Sequence, residues 1–209
     1  MKAPELNRAI RTALADLVQY EDELRDLDAA LGDGDLGITV AAGSHAVIAA
    51  LENLDEQATP TEIARACAAA FADANPSTMA ALVAGGLLAG SKTWDSKDEI
   101  TVVEAAAFIR AAADSIAKRG RSQLGDKTIL DAIYPAADVL DESTDAVEGL
   151  TKAVDAAERA VRETKDMQSM RGRASWLQER SIGLQDPGAT AFWYLLRSWL
   201  HTNTSSVSN

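Results

Sequence analysis

Apolar residues in this chain recur at three- and four-residue spacing almost from end to end, and no stretch sustains a two-residue alternation. Leu6, Ile10, Leu14 and Leu17 share one face of a 3.6-residue period, as do Ile63, Ala66, Ala70 and Phe71, and Val102, Ala105, Ile109, Ala112 and Ile116. Close to one residue in five is alanine and only 5% are aromatic, a composition that suits close-packed helices better than sheets. Local punctuation agrees. Thr59-Pro60-Thr61-Glu62 offers an N-cap, a proline at the first helical position and a capping-box glutamate. Thr101 with Glu104 is a second box, and its helix is predicted to stop at Gly120 after Lys118 and Arg119. Pro187-Gly188 opens a final helix. The pattern predicts about eight helices, roughly 4–24, 38–53, 60–73, 77–93, 101–118, 128–140, 144–165 and 188–200. Short connections favour antiparallel neighbours. The expected fold is an all-α bundle over residues 1–200, followed by a polar, frayed tail at 201–209.

Charge and length exclude several functions. The 209 residues suffice for one sizeable core. A net charge of −12 argues against nucleic acid or an anionic membrane as the main partner, since both need a basic face. The single cysteine, Cys67, rules out an intrachain disulfide framework and a Cys-rich zinc site, and reads as a small buried hydrophobe. Residues 1–24 are dotted with acids and lack an apolar signal-peptide core. The longest apolar run, Met79–Gly90, has 12 residues, too few to span a bilayer. A cytoplasmic protein is expected.

Three loop segments do not read as packing. In Leu27-Asp28-Ala29-Ala30-Leu31-Gly32-Asp33-Gly34-Asp35-Leu36-Gly37, the glycines let the backbone fold tightly while Asp33 and Asp35 point to one side and Asp28 converges on them. Three gathered carboxylates repel one another unless a cation intervenes, and hard, oxygen-seeking Mg²⁺ or Ca²⁺ would serve. The alternative is a solvated acidic turn. An EF-hand does not fit, because its twelfth position falls on Ser44. The second segment, Gly120–Thr128, and the third, Met170–Ala189, concentrate Lys127, Arg171, Arg173 and Arg180 beside glycines. Cations and backbone N–H groups at a helix N-terminus are what a polyphosphate requires; ordinary caps with surface ion pairs are the competing reading. His45 and His201 have no Ser or Cys partner at motif spacing, which leaves a nucleophilic triad unsupported. Gly85-Gly86 reads as a helix-packing pair. No Walker A lysine or dinucleotide fingerprint is present.

Taken together, Leu31-Gly32-Asp33-Gly34-Asp35-Leu36-Gly37, Gly125-Asp126-Lys127-Thr128, Gly172-Arg173-Ala174-Ser175, Glu179-Arg180-Ser181-Ile182-Gly183 and Gln185-Asp186-Pro187-Gly188-Ala189 resemble the nucleotide-binding L subunit (DhaL-type) of dihydroxyacetone kinase. These motifs run through most of the chain. The resemblance implies one DhaL-type domain over residues 1–200, an antiparallel eight-helix barrel with ATP or ADP and two Mg²⁺ ions at one end. It implies Asp28, Asp33 and Asp35 as metal-bridging residues and Leu36, Gly37, Ile38 and Thr39 as the loop that meets the phosphates. It places Pro76-Ser77 at a second phosphate turn, although Asn75-Pro76-Ser77-Thr78-Met79 departs from the usual Gly-rich form. Gly120 and Ile129 would line the adenine pocket, and Arg173 with Asp186-Pro187-Gly188 would make further nucleotide contacts. Leu36 and Leu184 stand where many members carry histidine, which suggests altered phosphate handling or substrate.

The resemblance also implies a mechanism in which the metal-bound nucleotide passes a phosphoryl group to a small ketose. Two divalent cations against three carboxylates leave a local positive charge that suits an anionic transferring group. Related enzymes hold the ketose on a separate K subunit through a covalent link to a histidine, so a partner is expected. Two routes fit: exchange of ATP for ADP, or a bound ADP rephosphorylated in place by a phosphotransferase-system protein. The rival from another class is a regulatory adaptor that binds nucleotide and docks a protein partner without catalysis. A plain helical scaffold is the third reading.

Overall fold

The start signals in the sequence act as predicted. The Thr59 hydroxyl accepts the Glu62 N–H while the Glu62 carboxylate accepts the Thr59 N–H at 2.8 Å. The Glu104 carboxylate accepts the Thr101 N–H at 3.2 Å, and Pro60 and Pro187 take first helical positions. The computed structural model describes residues 1–204, and these form nine α-helices: α1 (Ala3–Leu17), α2 (Glu21–Leu31), α3 (Leu36–Glu52), α4 (Pro60–Ala74), α5 (Thr78–Ser91), α6 (Val102–Gly120), α7 (Leu130–Asp141), α8 (Ala146–Glu163) and α9 (Pro187–Thr204).

Eight of them close a ring. α3 through α9 each pack on the next in sequence, α1 packs on α3, and α9 returns to α1. Neighbours run antiparallel. Asn7 near the start of α1 donates to the Leu51 carbonyl near the end of α3. Between α5 and α6, Leu82 lies by Gly120 while Gly90 lies by Phe108. An even number of helices allows the closing pair to keep this alternation, and Tyr20 stacks on Tyr194 there with ring centroids 4.3 Å apart. The expected eight-helix antiparallel barrel is therefore present, with α2 as a ninth helix packed on α3.

The core is continuous round the barrel but small in its side chains. One cluster joins Ala132, Ala136, Ala153, Ala157, Ala189 and Leu196. A second gathers Leu6, Val47, Leu51, Ile63, Cys67 and Trp94. Cys67 is buried, and its thiol is pushed up to about 12 by that burial. Side chains at Gly85 and Gly86 would meet Arg119 on the one hand and Ala112 and Ile116 on the other, so this pair does serve α5–α6 packing.

Two boundaries depart from the sequence expectation, at the break after α1 and at the end of the last helix. The predicted helix 4–24 breaks at a 3₁₀ turn, Val18–Tyr20, and α2 then runs on to Leu31. Tyr20 at that break is held by Tyr194 and by Arg197, 4.8 Å above its ring, contacts that local spacing does not report. The predicted stop at Gly120 holds: α6 ends there, and Arg121 just beyond it takes the left-handed φ of 51°. The last helix reaches Thr204, and the rest of the predicted tail, residues 205–209, lies outside the described residues.

Candidate functional site

In an antiparallel ring, alternate connections emerge at the same end. The α2–α3, α4–α5, α6–α7 and α8–α9 connections, residues 32–35, 75–77, 121–129 and 164–186, therefore share one mouth. This alternation unites motifs that lie up to about 150 residues apart in sequence.

The acidic loop forms its centre. Asp28 sits in the last turns of α2, and its Oδ2 accepts the Asp35 and Leu36 N–H groups at 3.0 and 3.3 Å. This folds the loop back on itself. One carboxylate oxygen each from Asp28, Asp33 and Asp35 then lies within 4.8 Å of the others. Asp28 is half-buried, and Asp33 and Asp35 are exposed. The donor set is three hard oxygens, and the Arg173 guanidinium has already been drawn onto Asp33 as an ion pair. Both observations fit a divalent cation such as Mg²⁺.

Gly37 has a packing reason as well as a loop position. A Cβ there would overlap the Glu21 carbonyl and crowd Arg25, so only glycine lets α3 start against the α2 backbone. Leu36 turns into the core with Leu17, Leu24, Val40 and Tyr194. Ile38 is exposed at the rim. Thr39 is buried, and its carbonyl accepts Asn75 Nδ2 at 3.2 Å, which ties the Pro76-Ser77 turn to the acidic loop. Ser77 caps α5 by accepting the Ala80 N–H at 3.1 Å.

Lys127 was expected among the phosphate cations, and the structure places it elsewhere. It is 2% exposed, and Nζ donates to the carbonyls of Met167 at 3.1 Å and Ser181 at 2.5 Å. A lysine that far inside clamps the 164–186 connection and is not a surface charge. Burial pushes its amine below the usual range, against the opposing pull of Asp186. Asp131 is a residue the motif reading passed over. Its two oxygens accept Gly125 and Thr128 N–H groups, each at 2.6 Å. Its place three residues after Thr128 at a helix start was the available signal. Asp126 accepts Gln123 N–H at 3.0 Å and Arg171 Nε at 2.8 Å.

Asp186 is buried and accepts the Ala189 N–H at 2.7 Å. Burial pushes its carboxyl up to about 7, partly offset by the Ala189 bond and Lys127, with Asp131 adding to the rise. Gly188 touches Ile129, which lies 3.5 Å from the position a Cβ would take. Gly120 lies beside Ser122 and Leu82. Arg173 and Arg180 are exposed on a 3₁₀ segment, Arg173–Ser181. His45 is exposed on α3, and His201 lies 3.6 Å from Asp16, away from this mouth.

A closed antiparallel helical barrel thus gathers a carboxylate cluster, glycine turns and arginines at one mouth, a donor set of the kind that a cation and a phosphate require. The DAK2 domain family matches residues 30–201, and this chain belongs to that family. It is 35% identical over 182 residues to the PEP-dependent dihydroxyacetone kinase 1 ADP-binding subunit DhaL of Listeria innocua, covering 87% of each chain. It is 36% identical over 184 residues to the L-erythrulose 1-kinase of Mycolicibacterium smegmatis, covering 85% of this chain and 32% of that enzyme. The chain thus spans about a third of the latter and most of the former. The crystal structure of the C. freundii dihydroxyacetone kinase, in complex with AMP-PNP and Mg²⁺, superposes with a TM-score of 0.76 at 22% identity, over 94% of this chain and 33% of that one. The domain is DhaL-type in family and in fold.

Proposed function

We propose that this chain is the nucleotide-binding subunit of a dihydroxyacetone-type kinase and passes a phosphoryl group to a small ketose held on a separate K subunit. The observation that carries this reading is the convergence of Asp28, Asp33 and Asp35 at the mouth, with Arg173 beside them. The names of the similar proteins support it: one is an ADP-binding subunit of a PEP-dependent kinase, another an erythrulose kinase. ATP exchange and rephosphorylation of a bound ADP by a phosphotransferase-system protein both remain consistent with this mouth.

Asp28, Asp33 and Asp35 would hold two Mg²⁺ ions, which when bound neutralise charge on the transferring group. The first turn of α3 directs the Gly37 and Ile38 N–H groups at the mouth, where the helix N-terminus favours phosphate. The Leu36 N–H is committed to Asp28, so Leu36 acts by seating this turn in the core. Thr39 anchors the Pro76-Ser77 turn as a second phosphate contact. Gly120 and Ile129 would border the adenine. Arg173 would steady the phosphates as a fixed cation, and Asp186 with Pro187 and Gly188 would shape the start of α9 against the nucleotide.

The rim suits a protein partner. Of the nine large hydrophobic side chains exposed among the described residues, six, Ile38, Leu124, Met170, Trp176, Ile182 and Leu184, lie on the connections and first turns at this mouth. No helix among the described residues is long and apolar enough to cross a membrane, and the proposed location is the cytoplasm. The same rim would also serve a non-enzymatic adaptor.

The test is a thermal melt with ADP, with and without Mg²⁺. Ligand at 100 times its Kd adds about 2.7 kcal/mol, equivalent to roughly 5–10 °C for a domain of this size. The shift is expected only with Mg²⁺ and is expected to vanish in Asp33→Asn. An unchanged shift in that variant would refute the carboxylate assignment. Phosphorylation of dihydroxyacetone or erythrulose with a K subunit present then separates kinase from adaptor.

A further inference from the structure

Two demands meet on one carboxylate. Asp28 is held by the N–H groups of Asp35 and Leu36, whereas Asp33 takes the Arg173 guanidinium. A divalent cation shared by the three aspartates and a guanidinium seated on the Asp33 carboxylate are like charges side by side, and they compete for that carboxylate. We propose that Arg173 is the resident counter-ion of the acidic loop: a divalent cation displaces it from Asp33, and only then is the guanidinium free to engage phosphate. This rests on the reading of the mouth as a metal–nucleotide site and adds an order to it, with the cation first and Arg173 second.

The surrounding structure allows the exchange. Arg173 and Asp33 side chains are 59% and 43% exposed, and an exposed pair of this kind contributes no more than about fivefold to an equilibrium constant. That suffices to neutralise the loop, yet it is too little to resist a divalent ion. Arg173 opens the 3₁₀ segment directly after Gly172, which holds φ 62°. A Cβ there would meet nothing within 4 Å. This joint is therefore unpacked as well as conformationally permissive. Within the segment Gln178 holds φ 49° and ψ −125°, a region other residues seldom occupy. Lys127 fixes the connection at Met167 and Ser181, so movement is confined to the stretch that carries Arg173.

The experiment needs neither nucleotide nor turnover. Mn²⁺ affinity is measured by the electron paramagnetic resonance of the free ion for the full chain, for Arg173→Gln and for Arg180→Gln, which removes the same charge from the same segment. The expected result is two- to fivefold tighter Mn²⁺ binding in Arg173→Gln and no change in Arg180→Gln. In parallel, the Arg173 Nε–H resonance is followed by NMR during a Mg²⁺ titration. It should leave its ion-paired position as metal binds, and Asp33→Asn should start from the released position. Equal or weaker binding in Arg173→Gln, an equal gain in Arg180→Gln, or an Arg173 signal that stays fixed during saturation would each overturn the exchange. If the unaltered chain binds no Mn²⁺, the metal-site reading falls as well, so the two failures are distinguishable.

Discussion

Replacing Lys127 by methionine separates two roles that the motif Gly125-Asp126-Lys127-Thr128 could have. If the ammonium contacted phosphate, Lys127→Met would cost nucleotide affinity and leave the fold alone. The structure predicts the reverse order of effects. Nζ makes two hydrogen bonds to carbonyls, at 3.1 and 2.5 Å, in a position 2% exposed. Methionine keeps the apolar stem and the volume and adopts the same φ of 60°, so neither a cavity nor a new backbone cost is introduced. What is lost is the pair of bonds from a charged donor, each worth about 1.5–3 kcal/mol, less the relief of no longer burying an amine that is already pushed down. A net loss of about 3 kcal/mol is expected, which lowers Tm by roughly 6–12 °C. Circular dichroism melts measure it. The ADP–Mg²⁺ shift should shrink only because the connection bearing Arg173 loosens. A Tm within 2 °C of the unaltered chain (about 1 kcal/mol or less), together with abolished ADP binding, would refute the clamp and restore Lys127 to the ligand.

Other outcomes follow from neighbouring residues. Asp186 has its carboxyl at about 7 in the folded chain against an ordinary 3.8. The folded state therefore binds the proton more tightly, and this group's contribution to stability falls as pH rises from about 4 through 7. Asp186→Asn, which can still accept the Ala189 N–H, should flatten that decline; pH-dependent melts showing the same slope in both proteins would exclude it. Gly37→Ala forces a Cβ onto the Glu21 carbonyl and should cost about 1–3 kcal/mol together with weaker Mg²⁺-dependent ADP binding, whereas a fully stable, metal-competent variant would show that α3 can slide away freely. Thr59→Ala removes the α4 cap at the opposite end of the barrel and should lower Tm by about 2–4 °C, from about 1 kcal/mol, with the ADP shift intact.

By itself the sequence determined the helices and the chemistry of the acidic loop. Thr59 with Glu62, and Thr101 with Glu104, act three residues apart, and a 3.6-residue apolar period is a property of consecutive positions. Asp28, Asp33 and Asp35 lie within eight residues, close enough for glycine-rich backbone to bring them together. The motifs that mark the family were legible for the same reason. Only the tertiary structure decided the rest. The break at Val18–Tyr20 depends on Tyr194 and Arg197, far along the chain. Lys127 looked like a surface cation, because nothing local reveals that Met167 and Ser181, 40 and 54 residues on, offer it carbonyls. Arg173 meets Asp33 across 140 residues because an even, antiparallel ring returns alternate connections to one mouth. Local hydrogen bonds and periodicity are encoded residue by residue, whereas burial and charge pairing depend on how the ring closes.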